Sequence, residues 1–254
     1  MNRLKYNINL AKELAWTDFK LKYYGSVLGL FWTFLKPFLM LIILYIVFSE
    51  FIKVNIENYH IYLLLGIVLW NFFADGTKDS MMGIRNKSQI VENTGITGEV
   101  IVLSICLHSF LTFLLNLFIF LLVYLALGFT FSLSAVTMVY IIAMYVVLIV
   151  GVSFFTSLMN MRFTDFSHIW DVFLQLLFWG TPIVYSYAAV PESLSRFFLL
   201  NPVSRIIVDA RNSVIYQFFP EARQLAITTV IVFSIFLAGL YTFRRLYKGQ
   251  VDRL

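Results

Sequence analysis

Residues 175–186 read QLLFWGTPIVYS, so that an apolar run with Trp179 near its end meets a Gly-Thr-Pro break before Tyr185. The run closes a longer stretch, residues 167–189, in which charged side chains are almost absent. A helix of roughly 20 apolar residues crosses the hydrocarbon core of a bilayer, which is about 30 Å thick. Because proline removes a backbone donor and disrupts the preceding helical turn, we predict a membrane span over 167–189 that loosens at its far end.

The composition of the whole chain supports a membrane protein. Of its 254 residues, 60% are hydrophobic and 13% are charged, and the mean hydropathy is +0.83. Soluble domains carry roughly 45–50% apolar and about 25% charged residues. Since the polar side chains are too few to cover a globule in water, we predict an all-α integral membrane fold. Its six predicted transmembrane helices cover residues 27–51, 60–82, 100–128, 133–159, 167–189 and 223–243.

The distribution of basic residues predicts the orientation of these spans. An even number of spans places both termini on one side of the membrane. If that side is the cytoplasm, most of the 19 lysines and arginines flank the cytoplasmic face, which is the usual bias in membrane proteins. We read the net charge of +5 through this topology and not as a nucleic-acid site. The prediction is a multi-pass protein of the cytoplasmic membrane with both termini inside.

The N-terminal segment, residues 1–26, precedes the first span and has an amphipathic pattern. The apolar side chains of residues 4–24 share one broad arc, and lysines and a glutamate lie opposite. This pattern is typical of a helix in the inner membrane interface. An ordinary helix packed on a soluble partner is the alternative.

The segment 190–222 is the longest connection between predicted spans. Pro191 suits a first helical position, and Asn201-Pro202 breaks the pattern into two short amphipathic helices over 191–200 and 203–218. Both are too short and too charged to cross the bilayer. We expect them to dip back onto the membrane or to cap something within it.

No sequence motif predicts catalysis or a bound cofactor. Phosphate-binding GxxxxGK[ST], HExxH, GxSxG and paired-cysteine motifs are absent, and the three histidines are scattered singly. The sequence therefore predicts a non-enzymatic chain without a metal site. No series of acidic residues crosses the membrane, as a proton-coupled pump requires, so the driving force is expected from elsewhere. The polar residues expected at the inner boundary are Lys36, Arg162, Asp165 and Asp171.

The inner loop 83–99 mixes polar and branched apolar residues between glycines. A short helix across the cytoplasmic face would present four polar side chains to a partner. A plain solvated turn fits the pattern equally well. The four candidates are Arg85, Lys87, Glu92 and Asn93.

The aromatic residues near the Gly-Thr-Pro break have two interpretations. Trp179, Tyr185 and Tyr187 are the kind of residues that form a lipid-facing aromatic belt at the membrane boundary. They are also suited to a channel, where flat apolar faces and hydroxyls would contact a sugar. The pattern alone favours the belt.

Two segments carry a resemblance to a known family. Residues 18–49, DFKLKYYGSVLGLFWTFLKPFLMLIILYIVFS, and residues 159–186, MNMRFTDFSHIWDVFLQLLFWGTPIVYS, resemble the permease subunits of type-two ABC exporters for lipid-linked polysaccharides. These exporters carry O-antigen, capsule or wall teichoic acid. Lys22 stands where arginine is usual, and Arg162 and Asp165 are separated where the family has an adjacent Arg-Asp pair. The matching residues include Asp18, Lys20, Tyr23, Gly25, Ser26, Leu28, Gly29, Trp32, Pro37, Asn160, Asp165, Phe178, Trp179, Thr181, Pro182, Ile183, Tyr185, Asn201 and Pro202.

The resemblance implies a homodimeric pore driven by two copies of a separate ATP-hydrolysing subunit, which would bind ATP and Mg²⁺. Residues 4–24 and 84–97 would contact that subunit. Residues 191–218, with Pro191, Asn201 and Pro202, would gate the outer exit. The resemblance shifts the aromatic residues towards the channel interpretation, and the set expected to face the glycan is Trp32, Phe178, Trp179, Tyr185 and Tyr187.

The implied organisation is one transmembrane permease domain over residues 1–254, embedded in membrane lipid. It consists of an interface helix, spans one to five, the gate helices, span six and a cytoplasmic tail, over 1–26, 27–189, 190–222, 223–243 and 244–254. The alternative within the same fold is an ABC permease for a small lipid or drug. The alternatives outside transport are an intramembrane enzyme and a purely structural membrane anchor.

Overall fold

The computed structural model describes residues 3–24, 29, 31–87, 96–191, 193, 198, 200–247 and 249. These residues form eight α-helices and no β-strand, which confirms the all-α fold. The helices are α1 (Arg3–Tyr23), α2 (Phe31–Tyr45), α3 (Tyr59–Asn86), α4 (Gly98–Ala126), α5 (Thr137–Arg162), α6 (Phe166–Trp179), α7 (Pro202–Val214) and α8 (Ala222–Leu246). A π-helical turn extends α2, one 3-10 turn precedes α5 and another follows α6, over Ile46–Phe51, Leu133–Val136 and Tyr187–Ala189.

Helix α3 lies at the centre of the bundle. It packs against α2, α4, α5, α6 and α7, and most of its side chains are buried. By contrast, α2 lies at the periphery, and Pro37 alone among its residues Phe31–Tyr45 is buried. An apolar helix buried on all sides needs a nearly continuous hydrophobic sequence, and YHIYLLLGIVLWNFF at the start of α3 has one.

Five of the six predicted spans are confirmed as helices long and apolar enough to cross a membrane. The prediction for 167–189 is wrong in its extent, because α6 ends at Trp179 after 14 residues. At 1.5 Å per residue this helix is about 21 Å long, shorter than the roughly 30 Å bilayer core. Pro182 lacks a backbone N–H and disfavours helical geometry at the preceding residue, so the chain turns at Gly180 instead of continuing.

The second predicted short helix is confirmed as α7, which ends four residues earlier than expected. Asn201 caps it, since its side-chain Oδ1 accepts hydrogen bonds from the backbone N–H groups of Val203 (3.0 Å) and Ser204 (3.4 Å). Most side chains of α7 are buried, so this helix packs into the bundle. The first predicted helix, 191–200, lies largely outside the described residues.

The predicted N-terminal helix is present as α1, which packs against α4. Ala11 and Ala15 are buried at this contact, and their small side chains allow a close approach. Ile8 and Leu21 belong to the predicted apolar arc but are exposed. The apolar arc is therefore divided between the α4 contact and the surface.

The bundle has two distinct ends. At the α1 end, Lys87 after α3 pairs with Asp18 of α1, and Arg244 Nε of α8 lies 2.7 Å from Glu99 Oε1 of α4. The α7 end holds α7, the beginnings of α3 and α8, and the end of α4, where the Tyr124 hydroxyl donates to the Val214 carbonyl at 2.8 Å. Ion pairs therefore link the helices at one end, and α7 links them at the other.

Helices α5 and α8 approach closely at two glycines. A Cβ added to Gly239 would overlap the carbonyl oxygen of Gly151, and one added to Gly151 would lie 2.6 Å from Phe236 Cα. Small residues permit such backbone contacts, which are a common basis of helix association in membranes. The α5–α8 pair depends on these two positions.

We expect Gly239→Val to lower the free energy of unfolding by about 1–3 kcal/mol, because the added carbons force the two backbones apart. Thermal unfolding in detergent, followed by intrinsic fluorescence, measures the loss. Leu237→Val on the exposed side of α8 is the matched control and should unfold like the wild type. Equal unfolding temperatures for both variants would contradict the proposed contact.

Candidate functional site

The turn after α6, residues 180–186, is non-helical yet largely buried. Thr181, Pro182, Ile183 and Val184 are all inaccessible to solvent. Backbone carbonyls in such a place need hydrogen-bond donors, because burial without a partner costs free energy. The Phe178 carbonyl, which loses its helical donor at Pro182, accepts instead from the N–H of Thr181 at 3.2 Å.

Arg211 of α7 supplies several of these donors. Its guanidinium donates to the carbonyls of Pro182 and, at 2.8 Å, Ile183. It also donates to the Tyr62 carbonyl through Nε (3.2 Å) and Nη2 (3.0 Å). The side chain is 1% exposed and lies 3.4 Å from the centre of the Tyr62 ring. The Cβ-free Gly66 makes room for Nη2.

Two tyrosines of α3 and the cap of α7 complete the contacts of the turn. The Tyr59 hydroxyl donates to the Val184 carbonyl (2.7 Å), and the Tyr62 hydroxyl donates to the Tyr185 carbonyl (2.8 Å). Asn201 Nδ2 donates to Thr181 Oγ1 at 3.1 Å. The end of α6, the start of α3 and the start of α7 are therefore held together as one unit.

The predicted channel aromatics are dispersed over the structure. Phe178 is buried against Trp70, with ring centres 5.5 Å apart, whereas Trp179 is 52% exposed. The half-buried Tyr185 donates its hydroxyl to the Trp179 carbonyl at 2.7 Å. Tyr187 belongs to the 3-10 turn at the α7 end.

Trp32 lies apart from the other four predicted channel aromatics. It lines a cavity of about 370 Å³ between α1, α2, α3 and α4. Four charged side chains, Lys22, Lys36, Asp75 and Asp79, also line this cavity. Lys36 Nζ is 3.4 Å from Asp75 Oδ1. The cavity is therefore lined by both basic and acidic side chains.

The remaining inner-boundary residues have separate surroundings. Asp171 of α6 forms an ion pair with Lys78 of α3, in which Oδ1 and Nζ are 2.7 Å apart. The Arg162 guanidinium lies 5.3 Å from the centre of the Phe163 ring, and the exposed Asp165 immediately precedes α6. Within the part of the chain that the structure describes, Arg162 and Asp165 form no ion pair with each other.

The predicted coupling residues divide into two pairs. Arg85 lies in the last turn of α3, and Lys87 follows the helix and pairs with Asp18. Glu92 and Asn93 lie outside the described residues. Because Lys87 contacts α1, the two segments predicted to meet an ATPase are joined to each other.

The predicted gate residues differ in their environment. Asn201 and Pro202 begin α7, whereas Pro191 is exposed after the 3-10 turn. A cavity of about 260 Å³ lies between this turn, α7 and the start of α8. Burial raises the pKa of its Asp209 carboxyl to about 6, although the nearby Arg205 opposes the shift. Six of the lining residues are Tyr187, Phe198, Arg205, Asp209, Glu221 and Gln224.

Comparison with known proteins identifies the family of this chain. The sequence pattern described as the ABC-2 type transporter matches residues 9–215, from α1 to the end of α7. This chain belongs to the ABC-2 type transporter membrane family. The resemblance found in the sequence is thereby confirmed.

Three curated relatives of this ABC-2 chain are each named O-antigen export system permease protein RfbA. One from Klebsiella pneumoniae is 32% identical over 218 residues, which cover 83% of each chain. A second from the same species is 28% identical over 254 residues, or 96% of each chain. One from Myxococcus xanthus is 23% identical over 230 residues, or 89% of this chain and 88% of its own.

Sequence reasoning missed the side chain that organises the α7 end of this ABC-2 chain. Arg211 counted only as a basic residue in an outer connection, and the sequence assigned no role to Tyr59 or Tyr62. An indirect signal was present, because the carbonyls freed around a buried Pro182 require donors from elsewhere. Nothing in the spacing of residues identifies Arg211 as that donor.

We expect Arg211→Met to destabilise this ABC-2 chain by about 3 kcal/mol, since it removes the donor to the buried, non-helical carbonyls of Pro182 and Ile183. The thermal unfolding midpoint in detergent measures the effect. Arg223→Met, at an exposed position on the same end, is the control for loss of charge. If the two variants unfold at the same temperature, the role assigned to Arg211 is wrong.

Proposed function

We propose that this chain is the channel-forming permease subunit of an ATP-driven exporter that moves a lipid-linked polysaccharide across the cytoplasmic membrane. The observation that carries the proposal is the similarity, over most of both chains, to three proteins named as O-antigen export permeases. Membership of the ABC-2 family and the five long apolar helices support it.

The energy for export comes from a separate subunit in this proposal. The sequence has no motif that would cradle nucleotide phosphates, so two ATP-binding cassette subunits bind ATP and Mg²⁺. They dock at the α1 end, where basic residues are concentrated, and this end faces the cytoplasm together with both termini. ATP binding and hydrolysis would bias two arrangements of the permease through differential affinity for them.

A second copy of the chain completes the conduit. Helix α6 is too short to cross the bilayer alone, and its exposed face carries the polar Gln175 between Asp171 and Trp179. Polar groups at membrane depth face protein or water and not lipid. The α6 face therefore fits the interior of a homodimer, with the glycan in the shared passage and its lipid anchor among the membrane lipids.

The exposed aromatics near the end of α6 would then contact the glycan. Trp179 offers an exposed ring beside Phe48, with ring centres 6.4 Å apart. Tyr185 and Tyr187 follow towards the α7 end, where Asn201 and Pro202 begin the helix proposed as part of the exit gate. Phe178 supports this wall from the core, and Trp32 would meet the substrate at the opposite end.

Deletion of the gene is expected to remove polysaccharide from the cell surface and to leave lipid-linked polysaccharide accumulated inside. Immunoblotting of surface glycan and extraction of the lipid-linked pool measure the two quantities. Complementation with the wild-type gene together with its ATPase should restore export. Normal surface glycan with loss of export of a small lipid or drug would favour the alternative substrate class.

The pairing of Asp18 with Lys87 should matter for coupling to the ATPase. Lys87→Glu places two carboxylates together, and we expect it to reduce permease-dependent ATPase stimulation at least about fivefold, which corresponds to about 1 kcal/mol of lost interaction. The exchange Asp18→Lys with Lys87→Glu restores opposite charges and should recover most of the stimulation. ATPase assays in nanodiscs measure both variants.

A loss in the single variant that the exchange does not rescue would show that Lys87 acts without Asp18. Lys12→Glu changes an exposed charge on the same helix α1 and serves as the control for net charge. Wild-type stimulation in Lys87→Glu would remove the pair from the coupling interface altogether.

A further inference from the structure

Two mostly buried polar side chains, Ser204 and Asp209, line the cavity at the α7 end. Ser204 is 2% exposed, lines the cavity, and its hydroxyl has no hydrogen-bond partner among the described residues. Asp209 is 8% exposed, and its carboxylate lies near the charge of Arg205 without a hydrogen bond to another side chain in the described part of the chain. Since buried polar groups are nearly always hydrogen-bonded, the Ser204 hydroxyl is available to a ligand, and the Asp209 carboxylate lines the same cavity as a second polar group.

The other walls of the cavity combine aromatic rings with planar polar groups. Tyr187 and Phe198 contribute the rings, and Asn212, Glu221 and Gln224 contribute amides and a carboxylate. A pyranose ring has apolar C–H faces and a rim of hydroxyls, so it matches aromatic faces and planar acceptors at once. This mixture differs from the nearly all-apolar groove between α5, α6 and α8.

We propose that the cavity formed by the 3-10 turn, α7 and the start of α8 binds one neutral sugar ring of the exported glycan. The assignment rests on the proposed function and deepens it. It gives each protomer a glycan contact at the exit end, which shares Tyr187 with the aromatics that follow α6. Its volume of about 260 Å³ lies just below the roughly 300–1,000 Å³ of sites for drug-sized ligands, which suits a single ring.

The charges in the cavity argue against a phosphate or a metal ion. The Arg205 guanidinium already donates to the Gln224 carbonyl at 3.3 Å and to Thr228 Oγ1 at 3.4 Å. Asp209 and Glu221 repel an anion, while Arg205 opposes a divalent cation. Hydroxyl donors of a neutral sugar satisfy the carboxylates without either repulsion.

Direct binding to the reconstituted permease–ATPase complex in nanodiscs tests the site. Saturation-transfer difference NMR would use free glucose, galactose, mannose and N-acetylglucosamine as probes. We expect transfer to ring protons of at least one sugar in the wild type. Asp209→Asn should weaken binding about tenfold, because a hydrogen bond to a charged group is replaced by one to a neutral amide. Asn212→Trp, which fills the cavity, should abolish binding.

Glu57→Gln is the matched control, since Glu57 is an exposed carboxylate at the same end but outside the cavity. It should bind the sugars as the wild type does. Because the carboxylate is the acceptor, wild-type affinity should fall as the pH drops below the Asp209 pKa of about 6, whereas Asp209→Asn should show little change. Among the described lining residues, Glu221 and Arg205 are the other charged groups, and Glu221→Gln isolates the contribution of Glu221.

Three results would overturn the site. They are no transfer from any of the four sugars to a complex that exports polysaccharide, equal binding in the wild type and both cavity variants, and displacement of the sugar by inorganic phosphate or calcium. A wild-type complex that binds the sugars but exports no polysaccharide would instead contradict the proposed function. The two proposals can therefore fail independently.

Discussion

The turn at residues 180–186 depends on donors from other helices. A proline and a glycine stop α6 short of the bilayer thickness, and the carbonyls that follow are buried where an unsatisfied group costs several kcal/mol. Arg211 meets this requirement with a planar fork of N–H groups that a lysine cannot reproduce. The guanidinium is held by carbonyl dipoles and the face of Tyr62, and no carboxylate among the described residues pairs with it. This interaction joins α7 to the start of α3 and to the turn after α6.

The long helices could be predicted because their burial in lipid or protein requires continuous apolar sequence, and α3, α4, α5 and α8 have it. The end of α6 could not be placed from hydropathy, because IVYS after Pro182 is as apolar as a span but is fixed by Tyr59 and Arg211. Helix α7 was found from its cap, Asn201-Pro202. Its burial was missed, since contacts with α3, α5 and α8 decide it and the sequence of α7 carries charges that suggest a surface.

The candidate site shows the same division between local and tertiary information. The sequence placed Trp179 and Tyr185 in one aromatic set and the Asn-Pro pair in a separate outer segment, and in the structure they lie around one turn. It could not separate Phe178, which faces the core, from its neighbour Trp179, which is exposed. Adjacent helical residues point about 100° apart, and the packing of the other helices decides which of the two directions is the core. Asp209 and Ser204 escaped notice since neither belongs to a motif. Packing brings both to one cavity and leaves the Ser204 hydroxyl without a hydrogen-bond partner among the described residues.

Helix α3 gives a physical route between the two ends. Its 28 residues span about 42 Å. Beyond its last residue, Lys87 holds Asp18 of α1, while at its first turn Tyr59 and Tyr62 hold the turn after α6. Packed cores change between discrete arrangements and do not deform continuously. A displacement of α1 by a partner would therefore move α3, the turn and α7 as one body. In the proposed exporter, the weakly buried α2 is the neighbouring element along which that body would slide.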